Sequence, residues 1–222
     1  MALVELPKLT VQPTIPPDVK RFLREADQRI EDFQVWARVP AFVPCDFEGT
    51  YRLLRSLAES TLLLRGNRFC EWGSGFGVAT CLASMVGFDS CGIEIDGELV
   101  GHAQKLAEDF ELDLEFVRGS FIPRGGEQRV HDAGNYAWFT TDSDSAYEEL
   151  DLDADDMDLV FAYSWPDEEL VVSELFDRYA GEGAVLMSYH GGDEFRLRRK
   201  ASKRKSSTSP RRKRGRNFGE SS

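Results

Sequence analysis

One short stretch constrains this chain more than any other. Phe69-Cys70-Glu71-Trp72-Gly73-Ser74-Gly75-Phe76-Gly77 is an apolar run carrying an acid, followed by glycines at alternate positions. The pattern predicts an extended segment, a tight turn and then a helical stretch from Val78 to Met85. Glycine reaches positive φ and lets a ligand approach without meeting a Cβ. The first turn of the following helix presents unpaired N–H groups, a natural site for a negative or polar ligand group. A dinucleotide fingerprint would need G-x-G-x-x-G. Here the third glycine comes one residue early, and Val78 holds its place. An acid two residues before the first glycine, Glu71, suits a ligand that carries an ammonium group. The same residues would also serve as a strand-to-helix turn that holds no ligand.

The segments that follow extend the pattern. Ser90-Cys91-Gly92-Ile93-Glu94-Ile95 reads as a second buried strand ending in an acid, 23 residues after Glu71. A carboxylate placed there can accept two ribose hydroxyls. Asp96 instead precedes Gly97-Glu98-Leu99 and reads as the N-cap of a helix, with Leu99, Ala103, Leu106, Ala107 and Phe110 on one face. A third strand, Leu114 to Val117, leads to Gly119-Ser120-Phe121. A fourth, Asp158 to Tyr163, is followed by Ser164-Trp165-Pro166, and a fifth runs from Gly183 to Tyr189 after a helix near Asp167 to Ala180. This alternation implies right-handed βαβ units and a parallel sheet covered on both faces. The expected fold class is α/β: a Rossmann-like, doubly wound, mostly parallel sheet of five to six strands with an N-terminal helical extension. Ligands of such sheets bind beyond the C-terminal strand ends. Glu71, Glu94, Ser120 and Ser164 all fall there.

The motif Glu71-x-Gly73-x-Gly75-x-Gly77 resembles motif I of the class I S-adenosylmethionine (SAM) dependent methyltransferases. The resemblance covers about residues 50–190. It implies SAM as cofactor, with Glu71 near the methionine amino group and the backbone of Trp72, Gly73, Ser74, Gly75, Phe76 and Gly77 passing under the ligand. Glu94 and Ile95 would hold the ribose, and Ser120 and Phe121 would border the adenine. Many members carry an acid where this chain has Ser120. Tyr163, Ser164 and Trp165 match the position of the family's substrate-facing motif and are the candidate catalytic residues. Ser164-Trp165-Pro166-Asp167 is a partial echo of the [Asp/Asn/Ser]-Pro-Pro-aromatic sequence of amino-methylating members. Trp165 would face a sulfonium or a cationic substrate through its ring, or simply pack the strand end. The order Phe42-Val43-Pro44, a helix, the glycine motif and Gly92-Ile93-Glu94 is also similar to the small protein-lysine methyltransferases related to the ATP-synthase c-subunit enzyme. A more distant similarity is to the Dot1-like histone methyltransferases. Phe76 stands where that branch carries an acid. The resemblance implies a methyltransferase that needs no metal and acts on a nucleophilic acceptor, foremost a protein amine such as lysine. RNA or a small molecule is an alternative acceptor, and a non-catalytic binding module is an alternative function.

Outside the sheet, Val19, Phe22, Leu23, Ala26, Ile30, Phe33 and Ala37 recur at helical spacing across Asp18 to Ala37, with Pro17 placed like an N1 proline. This helix is expected to pack on the sheet or cover the cofactor. Val39 to Pro44 reads as extended, and Gly49 to Leu64 as a second helix. Between Pro123 and Asp156 the pattern fails, which marks an insertion or long loop, functional or disordered. It holds His131-Asp132, an exposed histidine or a base, and the acids Asp151, Asp153, Asp155 and Asp156. Those acids lack the glycine and terminal glutamate of a calcium loop and read as a solvated loop. His190 is the other plausible base near the site.

The net charge of −12 hides a division. Residues 196–222 hold 12 of the 27 Lys and Arg against one acid, Glu220, while residues 1–195 hold 15 basic and 38 acidic residues. The acidic body favours a cationic substrate or partner. The basic segment 196–222 is expected to be disordered, either clamping nucleic acid or an anionic surface through phosphate contacts or folding back on the body. The organisation expected is a helical extension or lid over 1–48, a SAM-binding domain over 49–195 with the insertion at 123–156, and the tail. No apolar run is long enough to span a bilayer. Met1 to Thr10 carries no secretory signal, and the four cysteines show no CxxC spacing. A cytoplasmic protein is expected.

Overall fold

The computed structural model describes residues 3–11, 14–36, 42–133, 139, 146–165, 168–192 and 194–201. Five parallel strands form the middle of one sheet: β2 (Arg68–Trp72), β3 (Asp89–Glu94), β4 (Glu115–Arg118), β5 (Leu159–Ala162) and β6 (Val185–Tyr189). Two antiparallel strands, β7 (Phe195–Lys200) and β1 (Leu3–Glu5), complete the order β1-β7-β6-β5-β2-β3-β4. The chain runs outward from β2 to β4 and returns to β5 on the other side of β2, so the switch point lies at β2. Helices α1 (Pro17–Trp36), α2 (Phe47–Ala58), α3 (Val78–Met85) and α4 (Gly97–Asp109) bury their apolar faces in one core. Helix α6 (Glu169–Tyr179) and Val130 of the short α5 (Glu127–Ala133) belong to the core on the opposite face. Alternation along β5 shows why both faces are apolar: Leu159 and Phe161 enter the first core, Val160 and Ala162 the second. Among the described residues, no helix is long and apolar enough to cross a membrane.

Among the described residues the sheet has seven strands rather than five to six. β1 is three residues long and gives no period to read. The sequence Phe-Arg-Leu-Arg-Arg-Lys of β7 looks like the start of a solvated tail. In the fold, Phe195 and Leu197 pack into the first core, and Arg199 donates to the Leu62 carbonyl. Buried Lys200 donates to the carbonyls of Arg178 and Ala180 at the end of α6. A cation there satisfies orphan carbonyls and meets the negative end of the helix dipole. Arg196 to Lys200 are therefore sheet residues, not tail, and residues 202–222 lie outside the described residues. β1 likewise puts the first residues of the expected helical extension into the main sheet.

Capping fixes the starts of α2 and α4. Asp46 accepts from Gly49 N–H ahead of α2, and Asp96 from Glu98 and Leu99 N–H ahead of α4. Helix α2 stops at Ala58, short of Leu64, where Ser60 Oγ accepts the Leu62 N–H and turns the chain. The segment read as a pattern-free insertion contributes to the core: Val130, Ala146, Tyr147, Leu150 and Ala154 are buried. Asp156 accepts from the Asp153 backbone in a 3₁₀ turn over Ala154–Asp156.

Candidate functional site

At the C-terminal ends of the parallel strands lies a cavity of about 370 Å³. Its floor is the turn between β2 and α3. Gly73, Gly75 and Gly77 all have positive φ, at 75°, 53° and 68°. Two N–H groups, of Gly73 and Ser74, donate to the Ile93 carbonyl at 2.9 Å, which ties the turn to β3. The glycines differ in purpose. A Cβ on Gly75 would lie 2.6 Å from Phe42 Cε2, whereas Gly73 has open space at that position. Gly77 faces away from the cavity: its Cβ would strike the Phe116 ring and lie 2.9 Å from Ala103. Its requirement is close packing of α3 on α4 and β4.

Two buried carboxylates flank this floor. Glu71 Oε2 accepts from Thr80 N–H at 2.9 Å and Thr80 Oγ1 at 2.6 Å, both bonds falling on one oxygen. Burial pushes its carboxyl up to about 8, against the pull of the Thr80 bonds and with a further push from Glu94. Glu94 receives Gly75 N–H at 2.8 Å on one oxygen and Asp96 N–H at 2.9 Å on the other. Burial raises its carboxyl as well, opposed by those backbone bonds. A carboxylate has about four acceptor positions, so Glu94 is held by the turn and keeps capacity toward the cavity.

The remaining walls come from several elements. Trp72 stacks on Phe121 at 5.2 Å between ring centroids and 9° between planes, and Phe139 meets Phe121 edge-on. The Tyr163–Trp165 loop, which leaves β5, forms the rim, with Tyr163 and Trp165 exposed. Tyr163 packs edge-on against Tyr189 at 4.8 Å. Phe42 to Cys45 and Phe47, within the expected extension or lid over 1–48, supply a further wall. Helix α1 sits behind it, where Phe33 meets Phe76 at 5.2 Å. The predicted residues Val39 to Ala41 lie outside the described residues.

The structure thus brings Glu71, Trp72, Gly73, Ser74, Gly75, Phe76, Glu94, Ile95, Ser120, Phe121, Tyr163, Ser164 and Trp165 to one cavity and leaves Gly77 out of it. Ser120 accepts the Ile122 N–H at 3.2 Å. His131 is exposed on α5, and His102 stacks on Phe76 behind the glycine turn. Sequence reading passed over Glu168, a buried acid of the cavity wall. Its only signal was membership of an acidic run next to Trp165 and Pro166.

No protein-family model and no curated protein sequence matches the chain. Among solved structures it is similar to a methyltransferase from Geobacter sulfurreducens, at 15% identity over 86% of this chain and 91% of that one, TM-score 0.48. It is also similar to an RNA methyltransferase from Salinibacter ruber in complex with S-adenosyl-L-homocysteine, at 18% identity over 85% and 92%, TM-score 0.41. An O-methyltransferase from Bacillus cereus in complex with the same ligand shares 12% identity over 80% and 68%, TM-score 0.47. Likeness at this level decides neither ligand nor acceptor; those rest on the cavity's own residues.

Proposed function

We propose that this protein is a SAM-dependent methyltransferase whose acceptor is an amine of a protein segment. One observation carries the reading. A single cavity joins an acid-flanked glycine turn to a second strand-end carboxylate and an aromatic rim, and among the described residues none of its lining side chains is Lys, Arg or His. A ligand that is cationic at both its amino group and its sulfonium suits that wall. The residues fit such a ligand on structural grounds. Glu71 turns a buried carboxyl toward the floor, open space lies over Gly73, and Ser74 Oγ is buried with no hydrogen-bond partner among the described residues.

When bound, SAM supplies a methyl group on a positive sulfonium for in-line displacement by an acceptor lone pair. Glu71 would neutralise the amino group, Glu94 would accept the ribose hydroxyls, and the stacked Trp72 and Phe121 would border the adenine. Tyr163, Ser164 and Trp165 would position the acceptor. Alignment of donor and acceptor contributes roughly 7–11 kcal/mol at best. An amine must shed its proton before attack, and a partly dry pocket favours the neutral form. The four described cysteines are free thiols, which suits a reducing compartment such as the cytoplasm.

Calorimetric titration of SAM tests the reading. Micromolar binding, about −8 kcal/mol, is expected for the wild type and is lost in Glu71→Ala and in Gly75→Val, whose side chain collides with Phe42. A wild type that binds no SAM refutes it. With binding established, labelled SAM and a cell lysate identify the acceptor as protein, RNA or small molecule.

A further inference from the structure

By sequence His190 is a candidate base after the fifth strand, yet it does not border the cavity. It stands in the turn between β6 and β7, where Gly191 and Gly192 take positive φ, at 89° and 59°. His190 N–H donates to the Glu194 carbonyl at 2.9 Å, and the Tyr189 hydroxyl donates to the Gly192 carbonyl at 2.8 Å. A turn pinned at these points fixes the direction in which the imidazole leaves the backbone. The His190 side chain is only 6% exposed.

Both ring nitrogens are engaged. Nδ1 lies 2.6 Å from Glu169 Oε1, and Nε2 lies 2.9 Å from Ser188 Oγ. An ionised carboxylate only accepts, so Nδ1 carries a hydrogen, and a neutral ring then accepts the Ser188 hydroxyl at Nε2. That lone pair is spent within the fold and is not offered to a substrate proton. Ser188 is itself buried, so the trio is no nucleophilic triad. What matters is where the two partners stand. Ser188 on β6 pairs in register with Ala162, the last residue of β5, and Glu169 is the first residue of α6. The rim residues Tyr163, Ser164 and Trp165 leave the first of these points, and the chain returns at the second. His190 therefore joins the two feet of the rim. Tyr163 packs edge-on against Tyr189, next to His190, and Glu168 N–H donates to the Trp165 carbonyl at 2.8 Å.

We infer that His190 is the positioning residue of the acceptor rim and does not act as a base. By holding Ser188 and Glu169 together it keeps Tyr163, Ser164 and Trp165 in place at the cavity mouth before an acceptor arrives. Binding is then spared the cost of ordering that segment. That the molecule received there is a methyl acceptor rests on the methyltransferase reading, whereas the clasp itself does not.

The test joins amide hydrogen exchange of the full chain to methyl transfer from labelled SAM into a whole-cell lysate, supplied at a series of concentrations. His190→Phe keeps a ring and removes both side-chain bonds. Exchange across 163–169 is expected to quicken by about tenfold, with β2 and β3 unchanged. The half-saturating lysate concentration rises by about fivefold or more, while the limiting rate and SAM affinity hold. Glu169→Ala acts in the same direction through one bond. Glu169→Gln, whose oxygen still accepts from Nδ1, restores wild-type behaviour. Should His190→Phe not fold, the two Glu169 variants carry the test. Unchanged exchange at the rim overturns the inference, as does Glu169→Gln behaving like Glu169→Ala. A limiting rate that collapses at every lysate concentration also overturns it, since that is the signature of a lost base. A wild type that transfers no methyl group overturns the methyltransferase reading instead, and rim exchange then decides the clasp alone.

Discussion

Replacing Glu71 by glutamine will remove a pH dependence from the stability of the cofactor-free protein. Burial moves the Glu71 carboxyl from an ordinary value of 4.5 to about 8. Between these values the folded chain holds a proton that the unfolded chain has released, so stability falls as pH rises. The contribution is whole below about pH 4.5 and gone above about pH 8. At about 1.4 kcal/mol per pH unit, the loss across the window is about 5 kcal/mol. Glutamine keeps the shape and an oxygen for Thr80 but does not ionise. Urea unfolding of both proteins in steps from pH 4 to 9 is therefore expected to show the variant gaining on the wild type by about that amount. Parallel curves, or a wild type that gains on the variant as pH rises, would refute the assignment. Ligand binding reads the same proton from the other side. An ammonium beside Glu71 favours the ionised form, so binding at pH 7 should expel about one proton. Calorimetry in buffers of different ionisation heat measures that number, and a value of zero places no cation at Glu71.

Three further outcomes follow from features away from the cavity floor. Gly77→Ala puts a Cβ at positive φ against Phe116 and Ala103 and should cost about 2–4 kcal/mol of stability in chemical denaturation. Lys200→Met strands the Arg178 and Ala180 carbonyls at the end of α6 and should cost about 1–3 kcal/mol, read as a lower midpoint of thermal unfolding. Ending the chain after Ala201 removes eight Lys and Arg residues. It should leave SAM binding intact and abolish any salt-sensitive RNA binding, measured by filter retention at several ionic strengths.

The middle of the sheet was legible because buried parallel strands read as short apolar runs, and the α3 span of Val78–Met85 matches its expectation residue for residue. The gathering of Glu71, Glu94, Ser120 and Ser164 was legible for a topological reason. Parallel strands bring their C-terminal ends together whatever the sequence between them. The edge strand β1 and its neighbour β7 were not. Charged β7 earns its place through side-chain tips: Lys200 reaches helix carbonyls and Arg199 reaches Leu62, neither of which leaves a local period. Glu168 was missed because an acid in an acidic run reads as solvated, and its burial exists only once α6 is docked. The N-terminal wall was half legible. The helix was expected either to pack on the sheet or to cover the cofactor; it packs in the core, and the Phe42–Phe47 segment lines the cavity.

The placement of β1 has a consequence for synthesis. Leu3 pairs with Lys200, so the first strand among the described residues waits for β7, nearly two hundred residues on, to emerge. At about 5–20 residues per second that interval is roughly ten to forty seconds. A nascent chain ending before Phe195 would hold the five parallel strands with β6 as a bare edge, open to strand addition by another chain. Antiparallel β7 closes that edge, and the short β1 then covers β7 in turn. The sheet is therefore sealed by joining an early segment to a late one, and translational stalling before β7 would expose β6 to aggregation.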